Sequence, residues 1–257
     1  VAGGALPADY ESMTEESKLA ALAGLKPLDN TNVFTEPIHV DTIDTVKAIQ
    51  SIQTTNGEAG CYRYIISQCN SALNVMEVFG LFLLSGWQAS KLTVDIVPLF
   101  ETIDDLHKAG AIMEKLYSLP AYRQHLKNRG NRQTIMLGFS DGTKDGGYLM
   151  ANYSILLAKQ TLTSLSKNYG IDVLFFDGRG GPPARGGGKT QKFYASMGND
   201  VAGKEIQLTV QGQTISSNFG TIDAAQYNME QMLNAGLSGF IRHSQKPTLE
   251  PAQQQLL

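Results

Sequence analysis

The sequence has 257 residues, a net charge of -3 and 42% hydrophobic residues, which is an ordinary composition for a soluble globular chain with one large core or two modest ones. Its 21 Lys and Arg residues stand against 24 Asp and Glu residues, so there is no overall basic charge of the kind that binds nucleic acid. No apolar run approaches the roughly 18 residues that a membrane-spanning helix needs, so we expect no membrane partner.

The two cysteines indicate a reducing compartment. Cys61 and Cys69 flank a predicted strand. Because a six-residue strand is about 20 Å long, a disulfide could not join its two ends. We therefore expect free thiols and a cytoplasmic location. Residues 1–7 have no basic or long apolar region typical of a signal peptide and no initiator Met, so we expect a processed chain or a piece of a longer protein.

Three parts can be distinguished along the chain. Residues 1–57 are predicted to be helical, with one helix capped by Ser12 and a second by Asp41. Residues 58–240 alternate strand and helix patterns, and residues 241–257 form a polar tail.

Five strands are predicted in the second part, each followed by a helical pattern. The third of these helical patterns spans residues 148–169 and places six residues on one face: Ala151, Ile155, Ala158, Leu162, Leu165 and Tyr169. The strands are 62–66, 92–99, 133–138, 172–176 and 205–210. Repeats of this kind, roughly 30–40 residues long, are typical of βα units and predict an α/β fold with a parallel sheet. We favour a partial β/α (TIM-type) barrel with additional N-terminal helices over an open doubly wound sheet, because polar residues follow several successive strands. A complete barrel has eight strands, whereas only five are predicted here.

A glycine-rich segment with two arginines, residues 177–188, follows the fourth strand. Glycine allows backbone N–H groups to approach an anion closely, and the planar guanidinium groups of Arg179 and Arg185 match phosphate or carboxylate. The segment therefore predicts an anion-binding loop. A surface linker with two solvated arginines is the alternative.

Acidic residues follow the second and third strands. Glu101 comes after one strand, and Asp141 comes after the next, close to Lys144. Because neighbouring strands lie about 4.8 Å apart, the two carboxylates could share one magnesium or manganese ion. Such a cation could stabilise a developing enolate oxygen of a phosphorylated substrate that the arginines hold.

Each of these residues also has a structural interpretation. Glu101 or Asp104 could cap the helix that follows, Asp141 could form an Asx turn, and Lys144 could pair with its neighbour Asp145. We favour the functional interpretation because three consecutive strand ends carry charged groups that suit one substrate.

Three segments resemble conserved motifs of phosphoenolpyruvate carboxylase. Residues 98–106, PLFETIDDL, resemble that family's PLFETxDDL segment, and residues 138–146, GFSDGTKDG, resemble its GYSDSxKDxG segment. Residues 178–187, GRGGPPARGG, are similar to its GRGGxxGRGG loop. The order is preserved, and the resemblance covers nearly the whole chain, which matches the central portion of a longer enzyme.

The resemblance assigns roles to individual residues. It implies that Glu101 and Asp141 bind Mg or Mn, and that Arg179 and Arg185 handle the phosphate and carboxyphosphate chemistry. Lys144 matches a motif lysine near the site. The candidate substrate-binding residues are Arg179, Arg185, Gly180 and Gly181, and the candidate catalytic residues are Arg179, Arg185, Lys144 and Asp177.

The chain departs from the family pattern around the loop. Asp177 stands where the family usually has a histidine linked to bicarbonate or CO₂ handling, Ala184 replaces a glycine, and Gln191 replaces a frequent histidine. An acid beside two arginines could instead orient them.

The reaction implied by the resemblance converts phosphoenolpyruvate and bicarbonate to oxaloacetate and phosphate. Other catalytic residues of the family are absent from these 257 residues, so we expect the isolated chain to be inactive. The resemblance also implies a homo-oligomeric, tetrameric parent. Two alternatives stay open: another divalent-metal-dependent β/α-barrel lyase or aldolase, and a non-catalytic anion-binding fragment.

Overall fold

The computed structural model of this protein describes residues 4–28, 34–179, 181, 187–197, 201, 203 and 205–241, with side chains described to residue 237. These residues form two compact units. Unit 1 comprises Val1–Pro98 and Ala111–Gln133, and unit 2 comprises Leu99–Gly110 and Thr134–Leu257. Apart from Ile241, the predicted polar tail lies outside the described residues.

Strands and helices alternate from residue 63 onward, as the sequence predicts. The strands are β1 (Arg63–Ile66), β2 (Asp95–Phe100), β3 (Arg132–Gly138), β4 (Asp172–Gly178) and β5 (Gln207–Leu208). The helices are α1 (Glu15–Ala23), α2 (Pro37–Asn56), α3 (Ala72–Leu84), α4 (Ile103–Ser118), α5 (Pro120–Asn128), α6 (Ser140–Asn168), α7 (Thr190–Ser196), α8 (Gly212–Phe219) and α9 (Ile222–Ile241).

The five strands form one parallel sheet in the order β1-β2-β3-β4-β5, which confirms the α/β class and the predicted strands. Neighbouring strands pair in register, for example Leu99 with Met136 and Phe176 with Gln207. Among the described residues the sheet is open, so a closed barrel is not confirmed. The physical reason is strand number, because a β/α barrel closes with eight strands.

Unit 1 is organised around the apolar helix α3. A capping box begins this helix, with the Ser71 backbone N–H donating to Asn74 Oδ1 at 3.0 Å. Its centre packs against α1 at Gly80, where an added Cβ atom would lie 2.8 Å from Leu22 Cδ2. Cys61 and Cys69 are both free, as predicted.

Two helix starts in unit 1 differ from the prediction. The cap of α1 is Thr14, whose Oγ1 accepts a hydrogen bond from the Ser17 N–H, and Ser12 ends a short 3-10 helix instead. Helix α2 begins at Pro37 and not at Asp41, because proline is well suited to the first turn of a helix.

Unit 2 contains the ends of β2 and β3, all of β4 and β5, and helices α6 to α9. The buried face of α6 includes the predicted Ala151, Ile155, Ala158 and Leu162. This helix begins eight residues earlier than the predicted start at 148, at Ser140. Among the described residues, no helix has the length and hydropathy required to cross a membrane.

Candidate active site

The predicted site residues follow three successive strands of the parallel sheet in unit 2. Glu101 follows the end of β2, Asp141 lies in the first turn of α6 after β3, and Arg179 follows the end of β4. Because the strands are parallel, these positions share the carboxyl edge of the sheet, where ligand sites of α/β proteins usually lie.

Glu101 lies close to two glycines near the start of α6. A Cβ atom on Gly138 would lie 3.0 Å from Glu101 Cα and 3.2 Å from its Cγ. A Cβ atom on Gly142 would lie 3.3 Å from the Glu101 carbonyl oxygen. The two glycines therefore allow Glu101 to approach the turn that carries Asp141.

The cap of α4 is formed by Thr102 and Asp105. Asp105 Oδ2 accepts hydrogen bonds from the Thr102 N–H at 3.0 Å and from the Glu101 N–H at 3.4 Å. The Asp105 N–H donates in return to Thr102 Oγ1 at 3.1 Å. This reciprocal pattern is a capping box, so neither Glu101 nor Asp104 is needed to cap the helix.

Asp141 and Lys144 form an ion pair at the surface. Lys144 Nζ lies 2.7 Å from Asp141 Oδ1, and the two side chains are 63% and 46% exposed, respectively. Asp145 has a different partner, because its Oδ2 accepts a hydrogen bond from the Ile103 N–H at 3.2 Å. The pairing of Lys144 is therefore with Asp141 and not with Asp145, and Asp141 remains accessible to solvent.

The turn that carries these residues is separated from the rest of α6 at Gly147. This glycine has φ 78° and ψ 168°, which are not helical values and are strained for residues with a Cβ atom. The segment before Gly147 is helical and not an Asx turn. Within it, the Thr143 hydroxyl donates a hydrogen bond to the carbonyl of Phe139, the residue before the helix, at 2.6 Å.

The carboxylates of Glu101 and Asp141 offer oxygen donors to a divalent cation. Among the described residues, no group of three or more His, Cys, Asp or Glu side chains could hold a metal ion. Magnesium and manganese need only one or two protein carboxylates when substrate oxygens and water complete the coordination. The oxygen donors of Glu101 and Asp141 suit such an ion.

Asp177 is buried, with 1% of its surface exposed. Its Oδ1 lies 2.7 Å from Lys159 Nζ on α6, and its Oδ2 accepts hydrogen bonds from Lys159 at 2.9 Å and from the Tyr194 hydroxyl on α7 at 2.7 Å. Burial, followed by the charge of Asp177, raises the pKa of Tyr194. Tyr194 is therefore a permanent hydrogen-bond donor to this carboxylate.

Lys159 and Tyr194 were not among the predicted site residues. A signal for Lys159 was present, since it lies four residues after Ile155 and three before Leu162, on the apolar face of α6. A lysine on a buried face requires an anionic partner. No comparable signal marks Tyr194.

Arg179 is 5% exposed and lies over aromatic rings. Its Cζ is 4.1 Å from the ring centroid of Phe193 and 5.7 Å from that of Phe139. Its Nη1 donates to the Gly188 carbonyl at 3.4 Å, while its Nε has no hydrogen-bond partner among the described residues. Burial lowers the pKa of Arg179, against opposing effects of Tyr148, Tyr194 and Asp177. A buried guanidinium with an unused N–H is suited to an anionic ligand.

The rest of the predicted loop is described in part. Gly181 is buried. The predicted site residues Gly180 and Arg185 lie outside the described residues. A cavity of about 470 Å³ lies elsewhere in unit 2, between the segment before β5 and α9, and none of the candidate residues lines it. Its walls are apolar, so it does not suit a phosphorylated substrate.

The fold and these strand ends define an α/β protein with charged residues gathered at the carboxyl edge of a parallel sheet. The family model described as phosphoenolpyruvate carboxylase matches residues 3–256. The chain belongs to the phosphoenolpyruvate carboxylase family, which confirms the resemblance of its motifs.

Curated relatives named phosphoenolpyruvate carboxylase match almost the whole chain. The chain is 32% identical to the protein of Gloeobacter violaceus over 249 residues, which are 94% of this chain and 26% of that protein. It is 34% identical to the protein of Mycobacterium leprae over 243 residues, which are 91% of this chain and 26% of that protein. It is 32% identical to the protein of Synechocystis over 282 residues, which cover 96% of this chain and 27% of that protein. The chain thus spans about a quarter of the length of these relatives.

Proposed function

We propose that this chain supplies the metal-binding and phosphate-binding strand ends of a phosphoenolpyruvate carboxylase. The parent enzyme would carboxylate phosphoenolpyruvate with bicarbonate and release oxaloacetate and phosphate. The buried guanidinium of Arg179 carries this proposal, because its unused Nε–H lies at the end of β4 within the family's loop motif. The names of the relatives support the reaction.

The open sheet is, on this proposal, one part of a β/α barrel. Its strands are parallel and lie in sequential order, and helices follow them as in βα units. The remaining strands would come from the rest of a polypeptide about four times as long.

Glu101 and Asp141 would hold the cation, Mg or Mn. The ion would supply positive charge to stabilise the enolate oxygen that develops when the phosphoryl group leaves phosphoenolpyruvate. The absence of a Cβ atom at Gly138 and Gly142 allows Glu101 to lie near the start of α6. Asp141 lies in the first turn of α6, where the helix dipole favours a negative charge.

Arg179 and Arg185 would bind the phosphate and then the carboxyphosphate, assisted by the backbone of Gly180 and Gly181. A bicarbonate oxygen attacks phosphorus, the bond from phosphorus to the enol oxygen breaks, and the resulting enolate captures the CO₂ released from carboxyphosphate. The arginines would stabilise negative charge on the transferred group. Lys144, whose side chain is 63% exposed, would add a further positive charge near the site.

Asp177 would act on the arginine and not on the substrate. Its carboxylate is buried, pairs with the charge of Lys159 and accepts a hydrogen bond from Tyr194, which fits the role of orienting the loop. The isolated chain would bind phosphoenolpyruvate without turning it over, because the family resemblance places further catalytic residues in other parts of the parent. A cytoplasmic, homotetrameric parent completes the proposal.

The test is a calorimetric titration of phosphoenolpyruvate into the chain with and without Mn²⁺, together with a coupled assay for oxaloacetate. We expect Mn²⁺ to strengthen the binding of phosphoenolpyruvate and Arg179→Ala to abolish that binding. We expect no oxaloacetate to be produced. Production of oxaloacetate at an ordinary enzymatic rate would show that the chain is catalytically sufficient.

The two alternatives give different results in the same titrations. A complete lyase or aldolase would show Mn²⁺-dependent aldol cleavage and no effect of Arg179→Ala on phosphoenolpyruvate binding. A non-catalytic anion-binding fragment would bind phosphoenolpyruvate equally well after Glu101→Gln or Asp141→Asn.

A further inference from the structure

Lys159 on α6 and Asp177 in β4, two residues before Arg179, form a buried ion pair. Both side chains are 2% exposed, and Nζ lies 2.7 Å from Oδ1. Removing two charges from water is costly, so a buried charge needs a nearby opposite charge. Here Oδ2 accepts hydrogen bonds from the lysine and from the Tyr194 hydroxyl, whereas Oδ1 is in ion-pair contact with the lysine and has no hydrogen-bond partner among the described residues.

Lys159 and Arg179 share one aromatic neighbour. The Lys159 Nζ is 5.2 Å from the ring centroid of Phe193, and the Arg179 Cζ is 4.1 Å from the same centroid. Lys159 is also 5.3 Å from the ring of Phe175. Aromatic faces stabilise nearby cations, so these rings fix both positive groups around the carboxylate.

The charges in this cluster sum to one positive charge. Lys159 and Arg179 each contribute +1, and Asp177 contributes −1. Without Lys159 the sum would be zero, and the buried carboxylate would oppose the attraction of Arg179 for an anion. Because the surroundings are apolar, that opposition is screened less than it would be in water.

We propose that Lys159 is a positioning residue that neutralises Asp177 and thereby leaves the positive charge of Arg179 available to the phosphate of the substrate. This inference rests on the proposed function. It also accounts for an acidic residue directly before an anion-binding loop, where an unpaired carboxylate would weaken binding. Tyr194 donates a further hydrogen bond to the same carboxylate and adds no charge.

The test compares phosphoenolpyruvate affinity among Lys159→Met, Asp177→Asn and the double variant, with calorimetry at low ionic strength. Lys159→Met should weaken binding roughly tenfold. Asp177→Asn keeps the shape of the side chain and an oxygen that can accept from the Tyr194 hydroxyl, so the orienting role is retained; because it removes the negative charge, this variant should bind at least as tightly as the wild type. The double variant, which restores a net charge of +1, should bind within about threefold of the wild type. Lys167→Met removes an exposed lysine from the same helix and should have no effect.

If the pair of Lys159 and Asp177 had only a structural role, the order of phosphoenolpyruvate affinities among the variants would differ. Since each single substitution breaks the same ion pair, both would then weaken binding alike, and that result would overturn the inference. Equal affinity of Lys159→Met and the wild type would do the same while leaving the proposed function intact. Failure of the wild type to bind at all would instead overturn the proposed function.

Two further measurements keep the inference testable if Lys159→Met folds poorly. Tyr194→Phe removes a hydrogen bond from Asp177 without changing any charge, so its affinity should stay within about twofold of the wild type. A loss as large as tenfold in Tyr194→Phe would contradict a charge effect. In urea unfolding, the double variant should recover most of the stability lost by Lys159→Met, and additive losses would show that the two residues are not coupled.

Discussion

Glu101 and Gly138 are in backbone contact at the carboxyl edge of the sheet, such that a Cβ atom on residue 138 would lie 3.0 Å from Glu101 Cα. The contacting atom belongs to the backbone and cannot rotate away, so Gly138→Ala must displace Glu101. If Glu101 is a metal ligand, we expect Mn²⁺ affinity to fall about tenfold, or about 1.4 kcal/mol. Free Mn²⁺ measured by electron paramagnetic resonance checks this.

The matched control for this substitution is Gly212→Ala. Gly212 is exposed, and an added Cβ atom would meet nothing within 4 Å. We expect its Mn²⁺ affinity to equal that of the wild type. An unchanged affinity in Gly138→Ala, with the protein folded, would contradict the assignment of Glu101.

Asp141 and Asp104 offer a second test of the metal site. Both are acidic residues in the first turn of a helix, and each pairs with a lysine on its own helix, Lys144 or Lys108. Exposed pairs contribute little to stability, so neither Asp141→Asn nor Asp104→Asn should move the urea midpoint appreciably. Only Asp141→Asn should weaken Mn²⁺ binding, by at least about tenfold. Equal Mn²⁺ affinities of the two variants would exclude Asp141 as a ligand.

The alternating pattern of the sequence predicted the sheet because each strand is an apolar run between turn residues. Helices α5 and α8 were missed for a physical reason. Helix α5 has nine residues and buries only Tyr122, His125 and Leu126, and α8 has eight residues and buries none, so neither offers a stretch long enough for a helical pattern to stand out. The early start of α6 was also missed, since glycine-rich segments rarely favour a helix.

The candidate site was predictable in its motifs and not in its internal pairing. Glu101, Asp141 and Arg179 could be placed because each follows a predicted strand. The partner of Asp177 could not be placed, because Lys159 is 18 residues away on another element. The apolar face of α6 indicates that Lys159 is buried, but the identity of its anionic partner depends on how α6 packs against β4, which no local pattern specifies.

His125 should make the stability of the chain depend on pH. His125 is 2% exposed, and its ring centroid lies 5.7 Å from that of Phe79 and 5.8 Å from that of Tyr122. Burial, and to a smaller extent the charge of Arg129, lower the pKa of His125 from 6.5 to about 4. Between these values the unfolded chain binds more protons, so stability rises with pH. From pH 7 to pH 4, His125 should therefore remove about 3 kcal/mol from the free energy of unfolding.

Urea unfolding from pH 4 to pH 8 isolates this effect when the wild type is compared with His125→Phe. The difference between the two proteins should change across that window and level off above about pH 7. His107→Gln, at an exposed histidine, should follow the wild-type curve. Parallel curves for the wild type and His125→Phe would show that His125 is not protected from protonation by the fold.

Arg179→Lys separates the charge of this residue from its shape. The guanidinium lies 4.1 Å from the Phe193 ring centroid and presents a planar set of donors, whereas lysine would keep the charge and lose both the stacking and the paired N–H groups. We expect phosphoenolpyruvate affinity to fall at least about tenfold while Mn²⁺ affinity without substrate stays the same, both measured by calorimetry. Arg132→Lys, at the exposed amino end of β3, is the control and should match the wild type. If Arg179→Lys binds phosphoenolpyruvate as tightly as the wild type, a point charge is sufficient at this position. The proposal that Arg179 recognises phosphate through its planar set of donors would then be wrong.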